Sequence, residues 1–254
     1  MTEKILITGH KGLIGSSLWD TLKDKHQLYG HDIEDKGRDD LSFKVDIIIH
    51  CSSYCIIREV IKDPSLMMKN ILLTYSLMEK ARQDGSKVIL MSSGRLNSSH
   101  SSPYSVGKQF LENIAKAYKE CYGVDSVMIR PETIWGYHEK DNRVIPNWIK
   151  LAKKNEDIIV FGGRDKCLPP LFVEDFVGEL VKIMDNFDNF KNKIPITITG
   201  EDMNVCEIIN IIKDFYNSKS KVIFLDPEIS QPQGVLNRKE SDIILKNRLK
   251  ENLR

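Results

Sequence analysis

Long apolar runs are missing from this 254-residue chain, and none approaches the roughly 18 residues that would suggest a membrane span. An excess of either charge is missing too, with 37 Lys and Arg against 36 Asp and Glu. A near-neutral chain carries no electrostatic footprint for nucleic acid or an anionic membrane surface, so a small molecule is the expected partner. Cysteines are few and odd in number: Cys51, Cys55, Cys121, Cys167 and Cys206 show no paired CxxC spacing. That pattern argues against a disulfide framework or a metal site and for reduced, intracellular thiols. The opening MTEKILITG has no basic-then-apolar leader, so the expectation is a soluble cytoplasmic protein. Internal repeats and low-complexity segments are also lacking.

What is present is alternation. Short β-branched runs alternate with amphipathic stretches, the pattern of a parallel sheet covered by helices on both faces. Lys4 to Thr8 reads as the first strand and Leu13 to Leu22 as the helix after it. HQLYGHD, DIIIHC, KVILMSS and DSVMIRP read as further strands; Asp63 to Gln83 and Pro103 to Tyr122 read as long helices. This predicts a doubly wound α/β core over residues 1–131, and a small C-terminal substrate-binding lobe, drawn mainly from residues 132–254, with segments returning to the core. Such a lobe would lie over the carboxyl edge of the sheet, where ligands bind in open α/β folds. The polar tail from Gln231 ends in SDIILKNRLKENL, read as a peripheral helix.

In ILITGHKGLIG, strand residues run directly into Gly9, Gly12 and Gly15, and an apolar-periodic helix follows. Glycine lets the backbone turn tightly and approach a pyrophosphate, while the helix N-terminus offers unpaired N–H groups to negative charge. Glycine triplets also occur in ordinary turns; the flanking strand and helix make the dinucleotide reading specific. Lys11, Leu13 and Ile14 lie within the same turn. Asp32, about 20 residues into the unit, is placed to accept hydrogen bonds from the adenosine ribose and to repel a 2′-phosphate, favouring NAD. Lys11, with Lys36 and Arg38 beyond the strand, could instead hold that phosphate, so NADP stays open; a solvated acidic turn with Glu34 and Asp35 is the plainer reading of Asp32.

Pro103-Tyr104-Ser105-Val106-Gly107-Lys108 opens a helix, and i, i+4 spacing puts Tyr104 and Lys108 on one face. An ammonium near a phenol favours the phenolate, and the expectation is a tyrosine pKa lowered toward working pH. Ser92 and Ser93 end the strand KVILM. A hydroxyl there can hydrogen-bond a substrate oxygen as it becomes a carbonyl, or can merely turn the chain.

With these motifs in order, the sequence resembles the extended short-chain dehydrogenase/reductase family, the NAD-dependent sugar epimerases and dehydratases. TGHKGLIG, DIIIHCSS, NILLTYSLMEKAR, VILMSS, YSVGK, RPETIWG, VIPNWIKLAKKNEDIIVFGG and LFVEDFVGEL follow in the family's order, covering the chain to about Leu225. The resemblance implies a Rossmann fold and a sugar or nucleotide-sugar substrate oxidised or reduced at carbon 4. It implies Ser93 as the substrate-orienting hydroxyl, Tyr104 as the acid/base and Lys108 as its electrostatic partner and ribose contact. Gly9, Gly12, Gly15, Asp32, Cys51, Ser52 and Ser53 would line the cofactor. A homodimer through two exposed helices is expected by analogy.

The departures shape the expected chemistry. Gly94 and Arg95 stand where the family's dehydratases place Asp-Glu, which disfavours dehydration. Gly94 and Arg143 replace the cysteine and histidine of GDP-fucose synthase, which disfavours double epimerisation. The stretch between Ser93 and Tyr104 is short, with His100 close by, and Leu168 stands where an arginine grips the nucleotide diphosphate. Arg143, Val144 and Arg164 are the substrate-binding candidates, since either arginine fork could hold phosphate. His10 need do nothing; Trp135 and Tyr137 stack on substrate or close the core; Cys55 and Cys167 show no partner that would activate a thiolate. An epimerase, a keto-sugar reductase and a non-catalytic dinucleotide sensor or scaffold all remain compatible with the sequence.

Overall fold

The computed structural model describes residues 2–32, 42–97, 101–137, 143–226 and 243–254. Glu34, Asp35, Lys36, Arg38, His100 and the start of the tail at Gln231 lie outside the described residues. The first half runs β1 (Lys4–Thr8), α1 (Leu13–Leu22), β2 (Gln27–His31), β3 (Ile47–His50), α2 (Ile57–Lys62), α3 (Ser65–Asp84), β4 (Lys87–Met91), a 3-10 turn (Gly94–Asn97), α4 (Pro103–Tyr122) and β5 (Ser126–Pro131). Then follow β6 (Ile134–Trp135), α5 (Val144–Lys154), β7 (Ile158–Phe161), β8 (Cys167–Leu168), β9 (Leu171–Phe172), α6 (Val173–Asp185) and α7 (Phe187–Phe190). The chain closes with β10 (Ile196–Gly200), β11 (Met203–Asn204), α8 (Val205–Phe215), β12 (Val222–Leu225) and β13 (Ile243–Leu245).

Seven strands form one sheet in the order β13-β10-β5-β4-β3-β1-β2, every pairing parallel. Strands buried on both faces read as continuous apolar runs, and side chains alternate between two cores. Ile5, Ile7, Ile47, Ile49, Ile89 and Ile129 pack with Phe176 and Leu180 of α6. Leu6, Ile48, Val88 and Leu90 pack with Leu77 of α3 and with Leu111 and Ala115 of α4. This is the doubly wound Rossmann fold. The strand order reverses between β1 and β3, and the crevice outside their carboxyl ends is the topological switch point where such sheets bind ligands.

A third core belongs to the C-terminal part: Trp135 and Trp148 pack with Ile158, Ile208 and Ile212. Its small sheets pair β7 with β12 and β8 with β11. Not all of residues 132–254 lies there, because α6 and β10 pack into the main sheet. The end of the chain corrects the expected peripheral helix. Ile243 to Leu245 form an edge strand, with Ile243 opposite Ile198 and Leu245 opposite Gly200. Two β-branched residues and a leucine are better suited to the open edge of β10 than to a helix. Leu249 and Leu253, 2% and 5% exposed, then dock into the third core.

Candidate functional site

Three glycines fold the β1–α1 connection for different reasons. Gly9 sits in the left-handed region at φ 69°, and a Cβ there would come within 2.8 Å of the Ser52 nitrogen. Gly12 is the N-cap residue of α1, its amide donating to the Gly9 carbonyl at 2.9 Å. Gly15 lets α1 press onto the turn, since a Cβ would lie 2.1 Å from the Gly9 oxygen. The result is a cradle of backbone at a helix N-terminus, the geometry that accepts a pyrophosphate. Leu13 and Ile14 form the first turn of α1. Asp32 at the end of β2 accepts a hydrogen bond from the Lys11 amide at 3.3 Å, so the acidic side chain borders the cradle. His10 packs on Gly30 and Trp19.

The opposite wall is the segment after β3. The Cys51 amide donates to the Thr8 carbonyl at 3.1 Å, and the Ser52 amide to Thr8 Oγ1 at 3.3 Å. Thr8 Oγ1 also meets His50 Nδ1 at 2.8 Å, and His50 Nε2 meets Thr74 Oγ1 at 3.1 Å. Burial, helped by the charges of Lys108 and His31, pushes His50 down to about 3, so it stays neutral. Ser53 follows on the same segment, and Asn70 of α3 clamps it by bonding both the amide and the carbonyl of Tyr54.

Ser93, Tyr104 and Lys108 come together at the carboxyl end of β4. Ser102 caps α4 in a reciprocal pair with Ser105, and Pro103 starts the helix, as capping chemistry favours. The helix then presents Tyr104, Lys108 and Glu112 on one buried face, at i, i+4 and i+8. Ser93 stands near enough to Tyr104 for its hydroxyl to favour the phenolate. Lys108 Nζ donates to the Met91 carbonyl at 2.8 Å and lies 5.9 Å from the Tyr104 ring centre. Glu112 receives Ser92 Oγ at 2.5 Å and both nitrogens of an Arg130 fork at 2.8 and 2.7 Å. Sequence reading missed Glu112 and Arg130; the signal available was the continued period of four along α4.

The electrostatics correct one expectation. Burial pushes Tyr104 up to about 12, reinforced by Cys55, while the nearby Ser93 hydroxyl and the Arg143 and Arg95 charges pull the other way. The expected lowering by Lys108 is not what governs this phenol. Lys108 itself falls to about 8, because burial disfavours its charge despite the opposing pull of Cys55, Cys51 and Glu112. The Cys51 thiol rises to about 12 for the same reason of burial.

Arg143 is the N-cap residue of α5 and donates to Cys55 Sγ at 2.8 Å. This gives Cys55 a partner that the sequence did not reveal, and it joins the lobe to the segment after β3. Val144 is exposed at the start of α5, and Arg164 stacks 4.6 Å from the Phe224 ring of β12. No described contact joins Arg164 to Tyr104. Trp135, 2% exposed, belongs to the third core, and Tyr137 packs edge-on against it. Cys167 is exposed in β8, beside the half-buried Leu168. Lys166, just before β8, also escaped sequence reading; burial and the nearby Arg95 charge lower its pKa.

A parallel sheet with a glycine cradle at its switch point, and a tyrosine, serine and lysine beside it, defines a Rossmann-type dinucleotide-dependent enzyme. More particularly, the chain belongs to the NAD dependent epimerase/dehydratase family, whose model matches residues 5–206, and its cofactor is NAD. A provisionally named UDP-glucose 4-epimerase of Methanocaldococcus jannaschii is 27% identical over 88% of this chain and 86% of the relative. UDP-glucuronic acid decarboxylase 1 of Danio rerio is 26% identical over 91% of this chain and 65% of the relative. Among solved structures, UDP-N-acetylglucosamine 4-epimerase from Methanobrevibacter ruminantium M1 superposes with a TM-score of 0.82 at 19% identity, covering 99% of this chain and 91% of that one. UDP-glucuronic acid 4-epimerase from Bacillus cereus gives 0.83 at 19% identity, covering 95% and 89%. Among the described residues no helix is long and apolar enough to cross a membrane.

The lowered pKa of Lys108 makes stability depend on pH. Below about 8 the lysine is charged in both states and its burial penalty is fully present. Between about 8 and the usual 10.5 the folded protein releases a proton that the unfolded chain retains, so stability rises with pH, at a limiting slope of about 1.4 kcal/mol per unit. Urea unfolding from pH 7 to pH 10 is expected to show wild type gaining on Lys108→Met over that window. Parallel curves for the two proteins would contradict the assignment.

Proposed function

We propose that this protein oxidises a hydroxyl at carbon 4 of a nucleotide sugar and returns hydride to the resulting ketone, acting as an epimerase. The observation that carries this reading is the burial of Ser93, Tyr104 and Lys108 together at the carboxyl end of β4 beside the glycine cradle, with Lys108 Nζ fixed on the Met91 carbonyl. Gly9, Lys11, Gly12, Leu13, Ile14, Gly15, Asp32, Cys51, Ser52 and Ser53 are the residues proposed to hold NAD, which supplies the hydride acceptor when bound. Asp32 favours NAD over its 2′-phosphorylated form by charge repulsion.

In this reading the phenolate of Tyr104, which the positive charge of bound NAD would favour against the effect of burial, takes the substrate hydroxyl proton and gives it back, while Ser93 donates a hydrogen bond to the oxygen as it becomes a carbonyl. Lys108 holds the tyrosine end of α4 against β4 and orients the cofactor ribose. Arg143 and Val144 present the start of α5 to the substrate, and Arg164 has a weaker case because it rests on Phe224. The lobe built mainly from residues 132–254 would cover the sugar. The names of the relatives support a nucleotide-sugar substrate: they include 4-epimerases and a decarboxylase acting on UDP-sugars. A keto-sugar reductase would use the same groups with hydride moving one way.

Met68, Leu72 and Tyr75 of α3 are about half exposed or more, as is Val106 of α4. We propose that these residues join two copies of the chain through a pair of helices. Sedimentation velocity should report a dimer that Leu72→Glu converts to a monomer; a wild-type monomer at micromolar concentration would refute it.

Tyr104→Phe should keep NAD binding within about threefold while lowering kcat by at least 10²-fold, the usual scale for losing a proton-transfer group. Binding is read by calorimetry, and turnover by product analysis over a panel of nucleotide sugars. Wild-type-like turnover in the variant would overturn the role given to Tyr104.

A further inference from the structure

Asn97 ends the 3-10 turn that begins one residue after Ser93, and its side chain is bonded on both sides. Its Oδ1 accepts from Arg130 Nη1 at 2.6 Å, and its Nδ2 donates to Thr197 Oγ1 at 3.2 Å. Arg130 and Thr197 stand directly opposite each other on β5 and β10. One side-chain amide therefore pins the end of the turn across two strands of the main sheet, using its acceptor for one and its donor for the other.

The start of the turn holds the Ser93 hydroxyl. The Arg95 N–H donates to Ser93 Oγ at 3.2 Å, and the Leu96 N–H donates to the Ser93 carbonyl at 3.1 Å. With a lone pair of the oxygen taken by backbone, the directions open to the hydroxyl proton are restricted, and that proton is the one a nascent carbonyl oxygen needs. Where the turn goes, the hydroxyl goes.

From Asn97 the bonds run on to the acid/base helix. Arg130 forks onto Glu112 at 2.8 and 2.7 Å, and Glu112 shares the buried face of α4 with Tyr104. The turn itself packs against both α4 and β5. Ser93 and Tyr104 are thus joined by a closed path through the turn, Asn97, Arg130, Glu112 and the helix. The other side-chain link in that path is a largely buried ion pair; Asn97 is neutral and half-buried. Replacing it opens the path without stripping Glu112 of its counter-charge, the change that would endanger the fold.

We propose that Asn97 is a positioning residue that acts through Ser93, holding its hydroxyl at a fixed distance and angle from Tyr104 so that both can engage one substrate oxygen. The proposal rests on the carbon 4 reading above and adds to it a residue that touches neither sugar nor cofactor.

The test uses variants of the NAD-loaded full-length protein, with circular dichroism melts reporting that each is folded. Asn97→Leu is close in shape and makes neither bond; it should lower kcat by about ten- to a hundredfold, with KM changing by less than about threefold. Asn97→Ala gives the same reading should leucine disturb the fold. Asn97→Asp keeps an acceptor for Arg130 and offers another to the Thr197 hydroxyl, and should hold kcat within about threefold of wild type. Asn97→Leu combined with Ser93→Ala should be no slower than Ser93→Ala alone, because the effect passes through that hydroxyl. Hydrogen exchange over residues 93–97, read by mass spectrometry, should quicken in Asn97→Leu and not in Asn97→Asp. Losses that multiply in the double variant, wild-type kcat in Asn97→Leu, or an aspartate variant as slow as leucine would overturn the proposal. So would unchanged exchange in the turn. That last readout needs no substrate: wild-type protein that turns over no nucleotide sugar sinks the carbon 4 reading, and the exchange comparison still decides for or against the tether.

Discussion

One face of α4 sets the terms for the rest of the structure. It buries a phenol, an ammonium and a carboxylate, Tyr104, Lys108 and Glu112, at successive turns of one helix. Buried polar groups must be satisfied or they cost several times what a hydrogen bond contributes. The carboxyl end of β4 supplies partners: the Met91 carbonyl to Lys108 and Ser92 to Glu112, with Ser93 placed beside Tyr104. Arg130 from β5 neutralises Glu112 and reaches on to Asn97. Helix, strand end and 3-10 turn are thereby fixed in one register, and α4 cannot slide without orphaning a charge.

That register also explains why the site is assembled at the expense of easy ionisation. In a desolvated tyrosine at about 12 and a lysine at about 8, burial works against the charged form of each. Perturbed groups of this kind, clustered in a cleft, are what functional sites require. The cofactor side shows the same economy of position. Thr8 links β1 to both His50 and Ser52, so the floor of the glycine cradle and the wall after β3 share one side chain.

The local features were legible in the sequence because their causes are local. The glycine turn follows from φ and close approach at Gly9 and Gly15, and α1 and α4 run over the very residues that periodicity and the Ser102-Pro103 start indicate. The Tyr104 to Lys108 spacing is a property of any helix. What was not legible depends on residues far apart in the chain. The Glu112 and Arg130 clamp and the Arg143 contact to Cys55 need the sheet order before they can be seen. The same holds for the Tyr104 pKa, where burial outweighs the charge that spacing alone would emphasise. The tail misled for a physical reason: Ile243 to Leu245 is too short to show a period, and only the open edge of β10 makes it a strand.

The account turns on hydride passing between the sugar and NAD at the Tyr104 and Ser93 pair. Its most direct test is to load the protein with NAD, add a nucleotide sugar deuterated at carbon 4, and analyse the enzyme-bound cofactor by mass spectrometry after a rapid quench. The account predicts deuterium on the nicotinamide and its return to the sugar on the opposite face. Product formed with deuterium never leaving carbon 4, or exchanged with solvent, would contradict it.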